Sequence, residues 1–581
     1  MVFRRWRLVV TVLLLVLIGT AGWLGWQGWH ALRDLKAAEA SAEDLRASFT
    51  DDDPAVRDRA IADLQDAAAA ARGRTDGPLW GALTHLPIVG DDVRGVRAIS
   101  SSLDTLATDA VPPLVTTVDG LDGITTKGGI DLDAVQRLEA PVHEANAALA
   151  VADADVSHLD SSGYVGPLKS RFDTYVDLVG DAARGLAAGD KTVSVLPTMV
   201  GAEGPRNYLM IFQNNAEIRA TGGMPGSWAL LHAEDGKLSM VQQGTATDFG
   251  ERAEPILPLS KAELALYDEQ LGSYFQDANF TPDFPRAAEL WSARWEERFP
   301  GTKLDGVLSL DPVAMSYLLE GTGPLQVAGR TLTSENIVEE LLHRPYAELQ
   351  PSQQDVLFAQ TASGLFDAVT EDLASPVDFV SGLDRAAGEG RFRVAAFDPE
   401  VRKQLAGASV EGALVGDDGA TPHVDIGLND ATGSKMSYYL RYWSDLKATG
   451  CTAGRQTFAG SLTLSQAISP RDAAALPVSV TGTGGFGTDR GSQLVLVRLY
   501  GPFGGTIEGV QLDGKKLDAD LEIVDLDGRP ATTVVALLSS REDSTLTWTM
   551  TSGAGQTGSV HLGLTPSVQA GGRLLAFASA C

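Results

Sequence analysis

The stretch FQNNAEIRATGGMPGSWALLHAEDGKL, Phe212 to Leu238, carries two different signals. Just upstream, NYLMIF (Asn207–Phe212) is a short apolar run that reads as a buried strand. Asn214, Asn215, Glu217 and Arg219 follow it, and then Gly222, Gly223 and Gly226. The chain resumes as GSWALLHAEDGKLSMVQQ, two strands around Glu234-Asp235-Gly236, where Asp-Gly is a strong hairpin cue. A polar segment leaving a strand and turning on paired glycines has two readings. It is a binding loop at a strand end, or a well-capped turn in which asparagine side chains bond to the backbone.

Working outward, helical patterns alternate with strands. Pro285–Phe299 contains Ala288, Leu290, Trp291 and Trp295, and Glu335–Leu342 and Gln353–Val369 follow, with DGVLSL (Asp305–Leu310) as a further strand. Mixed strands and helices from 200 to 450 predict an α/β domain. From 455 to 581 the helical pattern fades. TLTWTMT (Thr545–Thr551) alternates, placing Leu546, Trp548 and Met550 on one face, and Gly- and Asp-rich turns separate LVLVRLYGP from TIEGVQLDGKKL. That pattern predicts an antiparallel β-sandwich. Upstream, residues 30–195 are rich in alanine and aspartate. Val135, Leu138, Val142, Ala145, Leu149, Ala152 and Val156 fall at helical spacing, and so do Leu168, Phe172, Tyr175, Val179, Ala182 and Leu186. The expectation is an all-α stalk or bundle, so the chain reads as multidomain: transmembrane helix, helical stalk, α/β domain, β-sandwich.

The bulk numbers fit. A chain of 581 residues is too long for one core. A net charge of −30 excludes nucleic acid as an expected partner, because phosphate binding needs a basic surface. Residues 1–7 are a basic start containing RRWR, and residues 8–29 are apolar and end in Trp23, Trp26 and Trp29. They read as one uncleaved membrane anchor, with the N-terminus cytoplasmic and the bulk extracytoplasmic. A signal peptide cleaved near AEASA (Ala38–Ala42) is the competing reading, but the apolar core is long for one and Arg33, Asp34 and Lys36 intervene. The two cysteines, Cys451 and Cys581, belong to no zinc-type cluster. Outside the cytoplasm they are candidates for a bridge that ties down the C-terminus.

Familiar catalytic signatures are missing: there is no G-x-S-x-G elbow, H-E-x-x-H helix or P-loop. No catalytic residue is assigned. A polar set remains as candidate ligand groups. It comprises Asn214, Asn215, Glu217 and Arg219, then Asn279 and Arg286 from DANFTPDFPR, and Arg344 beside Tyr346 in HRPY. Arginine suits phosphate because its planar fork donates two parallel bonds. Asp277 and Asp283 are candidate Mg²⁺ ligands where a pyrophosphate completes the coordination. The plainer reading makes these aspartates helix caps and these arginines salt-bridge partners.

The stretch NYLMIFQNNAEIRATGGMPGSWALLHAEDGKL resembles the hallmark segment of the bacterial family catalogued as domain of unknown function 4012 (DUF4012), as do LTHLPIVGDDVRGVRA, DANFTPDFPRAAELW and GSKMSYYLRY. The resemblance implies a short cytoplasmic start, one membrane anchor and a large outer part. A second resemblance, in the order of parts, is to the LytR-CpsA-Psr phosphotransferases, which move glycopolymers from polyprenyl-pyrophosphate carriers onto the cell wall. It implies an envelope role and a polyprenyl-pyrophosphate-linked glycan as ligand. Where those enzymes carry Arg-Ser-Asp-Thr entering the hairpin, this chain reads GMPGSW, and where they carry an arginine-aspartate pair after it, VQQGTATDF. Arg219, Arg286 and Arg344 would have to substitute. The alternative expectation is a non-catalytic scaffold that binds other envelope proteins.

Overall fold

The computed structural model describes residues 33–581 apart from 46–53, 88, 372, 485–487, 518–520, 540–542 and 572–573. The expected cytoplasmic start and membrane helix lie outside the described residues. Among the described residues, no helix is long and apolar enough to cross a membrane. The described residues divide into two compact units, those up to Asp122 with Asp133–Ser194, and Gly123–Leu132 with those from Val195 to Cys581.

The first unit is built from helices α1 (Pro54–Thr75), α2 (Gly90–Thr105), α3 (Leu132–Ser157) and most of α4 (Gly166–Met199), with a further helix at Val111–Leu121. All seven positions of the stripe Val135 to Val156 are buried along α3. In α4 the stripe drifts: Phe172 and Val179 are buried, but Ala182 is exposed and Ala183 takes its place beside Leu186. Fully buried Ala68, Ala107, Ala145 and Ala152 keep helix surfaces flat. Buried Ser102 donates to the Ala152 carbonyl (2.7 Å) and accepts from the Tyr175 hydroxyl (2.9 Å), tying three helices together. Residues 30–195 are not helical throughout. The short strands Thr125–Thr126 and Gly129–Ile130 form a ribbon that belongs to the second unit, where Gly129 pairs with Lys237.

In the second unit, β1 (Arg206–Arg219), β2 (Gly222–Glu234), β3 (Lys237–Thr245), β4 (Gly306–Leu310) and β5 (Phe392–Ala396) form a sheet in the order ribbon-β3-β2-β1-β4-β5. Only β1 and β4 pair in parallel; the other pairs are antiparallel. The Asp-Gly turn joins β2 to β3 with Asp235 at φ 51° and Gly236 at φ 77°, the left-handed pair a two-residue hairpin needs. Alternation along β1 serves both faces. Leu209 and Ile211 pack with α5 (Phe284–Arg298), Trp228, Trp291 and Trp295, while Met210 and Phe212 pack with α6 (Pro312–Thr322) and α7 (Pro351–Thr370). The result is a helix-sheet-helix layering.

The longer of the remaining strands are β6 (His423–Asp430), β7 (Leu440–Thr452), β8 (Arg455–Gln466), β9 (Gln493–Tyr500), β10 (Thr506–Leu512), β11 (Arg529–Leu538), β12 (Ser544–Thr551), β13 (Val560–Leu564) and β14 (Leu574–Phe577); short strands Val524–Leu526 and Lys515–Lys516 extend the two sheets beyond β11 and β10. One sheet contains β11-β9-β6-β13-β14 in sequence and the other β7-β8-β12-β10. Leu462, Leu464, Val495, Val497, Leu546, Trp548 and Met550 fill the core between them. This sandwich begins earlier than the boundary at 455: β6 and β7 pair with β9 and β8, inside its two sheets. The polar stretch ATGSK between them masks the strand pattern in the sequence. Cys451, at the end of β7, is bridged to Cys581.

Candidate functional site

Strand β1 does not stop at Phe212. It runs on to Arg219 through two irregularities, one between Phe212 and Gln213 and one between Asn214 and Ile218. In the second, Asn215, Ala216 and Glu217 have no partner on β2, so the strand arches and re-aims its side chains. The glycines permit this. Gly222 has φ 136°, and a Cβ at Gly223 would meet the Asn214 carbonyl carbon at 2.2 Å. The polar segment is therefore part of a bulged hairpin end, and its residues are almost wholly enclosed.

Three bonded groups result. Gln213 donates to Ser309 (2.9 Å), and its side-chain oxygen accepts from Thr221 (2.9 Å) and the Gly223 amide (3.0 Å). Asn279 closes this ring by donating to Thr221 (2.8 Å) and the Gly223 carbonyl (2.9 Å). Asn215 donates to Asp311 (2.9 Å), which caps α6 at Ala314 and pairs with Arg391 (3.0 Å); Arg391 also pairs with Glu389 (2.6 Å). The third group is ionic. Arg219, 5% exposed, donates to Glu217 (3.1 Å) and Asp277 (3.3 Å), and its guanidinium lies 4.9 Å from the Phe280 ring centre. Lys435 pairs with Glu217 and sits 5.5 Å over Tyr346, whose hydroxyl accepts from Asn214. Asp430 accepts from Gln493 (2.9 Å) and from the Gly433 amide (2.7 Å).

Burial and pairing compete here. Burial works to raise the Glu217 carboxyl, but Lys435 and Arg219 outweigh it and hold the group below the usual carboxylate range. Burial also opposes the charges on Arg219 and Lys435, yet Glu217 and its neighbouring acids keep both above their ordinary values. Asp277 and Asp430 go the other way: desolvation raises both, because Arg219 is shared and Glu217 adds a like charge nearby.

The other candidates lie elsewhere in the bonding pattern. Arg286 pairs with Glu263 (2.7 Å) and Glu289 (3.1 Å) and donates to the Pro258 carbonyl (2.9 Å). Arg344 is half-exposed and pairs with Glu339 (3.1 Å) and Glu340 (3.0 Å). The three arginines share no partner. Asp283 precedes α5 and accepts from the Leu414 amide (3.4 Å); burial lifts its carboxyl to about 6. Asp277 faces a guanidinium, so the two aspartates offer no common cation position. Among the described residues, no group of three or more His, Cys, Asp or Glu is arranged to hold a metal ion. Lys435, Asp430, Asp311, Glu389 and Arg391 complete the enclosed network and were not among the candidates. Lys435 stands in GSKMSYYLRY, a stretch already distinguished by its family resemblance; the local sequence around Arg391 carries no comparable signal.

The class this defines is an α/β body whose hairpin end is locked to a β-sandwich through buried ions and amides. Residues 203–346 match the model of the family described as Protein of unknown function (DUF4012), so this part of the chain is a DUF4012 domain. The match covers the hairpin, Asn279, Arg286 and Arg344. No curated protein and no solved structure matches the chain.

Proposed function

We propose that this chain is a membrane-anchored, extracytoplasmic scaffold of the cell envelope, serving the assembly of surface polysaccharide or cell wall without performing the transfer itself. The observation that carries this reading is the commitment of Arg219, Arg286 and Arg344 to separate acidic partners. A pyrophosphate clamp needs several free guanidiniums aimed at one point. The Cys451–Cys581 bridge supports an oxidising compartment. The apolar run 8–29 supports the anchor.

The second reading is a LytR-CpsA-Psr-like domain that binds a polyprenyl-pyrophosphate-linked glycan with Mg²⁺. The order of strand, hairpin, Asn279 turn and helix favours it. It requires Arg286 and Arg344 to leave their carboxylates when ligand arrives. Binding of a polyprenyl-pyrophosphate analogue to the full chain in detergent, with and without Mg²⁺, separates the two. The scaffold reading expects no saturable micromolar binding. Mg²⁺-dependent binding that disappears in Arg286→Ala and Arg344→Ala would replace it with the second.

A further inference from the structure

The outer face of the sheet β7-β8-β12-β10 has an unusual make-up. Its inner side chains, Leu462, Leu464, Leu546, Trp548 and Met550, are buried, so the alternate residues face away from the core. Antiparallel register sets Trp443, Thr463 and Thr545 in one row across three strands, and Asp445, Ser461 and Thr547 in the next. Neighbours in a row are about 4.8 Å apart and successive rows about 7 Å. Further along, Thr551 stands between Thr457 and Thr506.

Two properties single this face out. Trp443 is 55% exposed, and among the described residues no other Trp, Tyr or Phe side chain is exposed. Among the described residues, the hydroxyls of Ser461, Thr463, Thr545 and Thr547 have no partner within the protein. Across the rows of this face acids are matched by bases: Asp445 and Lys516 end the row of Ser461 and Thr547, and Lys447 and Glu508 end the row of Ala459 and Thr549, with Arg441 and Arg455 at the margins. The two rows of Trp443 and the free hydroxyls are thus charge-balanced, which favours neither a polyanion nor a polycation there. Strand addition at the β7 edge is disfavoured by the irregularity between Ala448 and Gly450 and by Lys447, both of which discourage edge pairing.

We propose that this face binds a neutral polysaccharide strand. Trp443 supplies a flat apolar platform for the C–H face of a sugar ring, where many small dispersion contacts add up. The hydroxyl rows match the rest of the ligand, since a hydroxyl both donates and accepts and can exchange bonds with a polyhydroxylated chain. Asp445 accepts from a sugar hydroxyl at the end of its row. The assignment rests on the envelope reading only for the source of the polymer.

The test is affinity electrophoresis of the full chain in detergent through gels containing mannan, dextran or arabinogalactan, with hyaluronan as the polyanion. Wild type, Trp443→Ala and Thr547→Val are compared, and circular dichroism checks that each is folded. The expected result is retardation by at least one neutral polymer, weakened about tenfold in Trp443→Ala and less in Thr547→Val. No retardation by any neutral polymer, equal retardation of Trp443→Ala, or stronger retardation by hyaluronan overturns the proposal. So does self-association that is lost in Trp443→Ala without any retardation, which would assign the face to a second copy. None of these readouts involves lipid pyrophosphate or membrane location, so their failure leaves the scaffold reading standing, and its failure leaves them interpretable.

Discussion

Replacing Arg219 by methionine separates a residue that holds the hairpin end together from one kept for a ligand. In the wild type the guanidinium faces Glu217 at 3.1 Å and Asp277 at 3.3 Å. With an effective dielectric near 20, each attraction is about 5 kcal/mol before solvation is counted. Desolvation of the arginine opposes much of that sum. Removing one member of a buried ion group nevertheless typically costs about 3–5 kcal/mol, because its partners stay enclosed. Asp277 and Asp430 are already raised by burial, and without Arg219 they take up protons more readily. The folded variant then binds more protons than the unfolded chain, so its deficit grows as pH rises. Urea unfolding followed by tryptophan fluorescence reports on this region through Trp228, Trp291 and Trp295. The expected loss is about 3–5 kcal/mol at about pH 8 and clearly less at about pH 5. Adding Asp277→Asn to Arg219→Met should recover much of it, because Glu217 keeps Lys435 as its partner. A residue held for a ligand commonly lowers stability, so its removal is neutral or stabilising. An Arg219→Met variant as stable as the wild type at both pH values refutes the structural role.

Two further outcomes follow from the same physics. Asp283 has an ordinary value of 3.8 raised to about 6 by burial, so the folded state holds its proton more tightly than the unfolded state does. Its contribution is present below that range and is lost as pH rises from about 4 to about 6, a swing of about 3 kcal/mol. Asp283→Asn keeps an acceptor for the Leu414 amide; it should match the wild type near pH 4 and exceed it by about 1–3 kcal/mol near pH 7 in thermal melts. Equal stability at both ends refutes the assignment. The Cys451–Cys581 bridge spans 130 residues, for which chain entropy sets a ceiling of about 5 kcal/mol. Reduction, or Cys451→Ser with Cys581→Ser, should lower the denaturant midpoint by the equivalent of about 2–5 kcal/mol; an unchanged midpoint would mean the C-terminus is held by other contacts.

Local pattern was legible at most positions where a side chain's neighbour lies within one turn of helix or across one hairpin, the exposed Ala182 of α4 and the strand continuation to Arg219 being exceptions. The α3 stripe from Val135 to Val156 is buried at each named position because helical geometry alone brings those residues to one face. The Asp235-Gly236 turn and the inward row Leu546, Trp548, Met550 follow for the same reason. The family could also be identified, because its hallmark is a contiguous stretch. What the polar residues of that stretch do was not readable in this way. As ligand groups, Arg219, Arg286 and Arg344 looked alike, three arginines near turns.

By itself, then, the sequence determined the periodic elements, the hairpin and the membership of residues 203–346 in DUF4012. Only the tertiary structure decided that Arg219 is spent on Glu217 and Asp277, that Lys435 completes the group 218 residues beyond Glu217, and that Arg391 reaches back to Asp311. It also set β6 and β7 in the sandwich and aligned Trp443 with Thr463 and Thr545. The physical reason is range. Periodicity and turn chemistry act between residues a few positions apart, whereas an ion pair or a sheet face is formed by whichever distant strands the fold brings side by side.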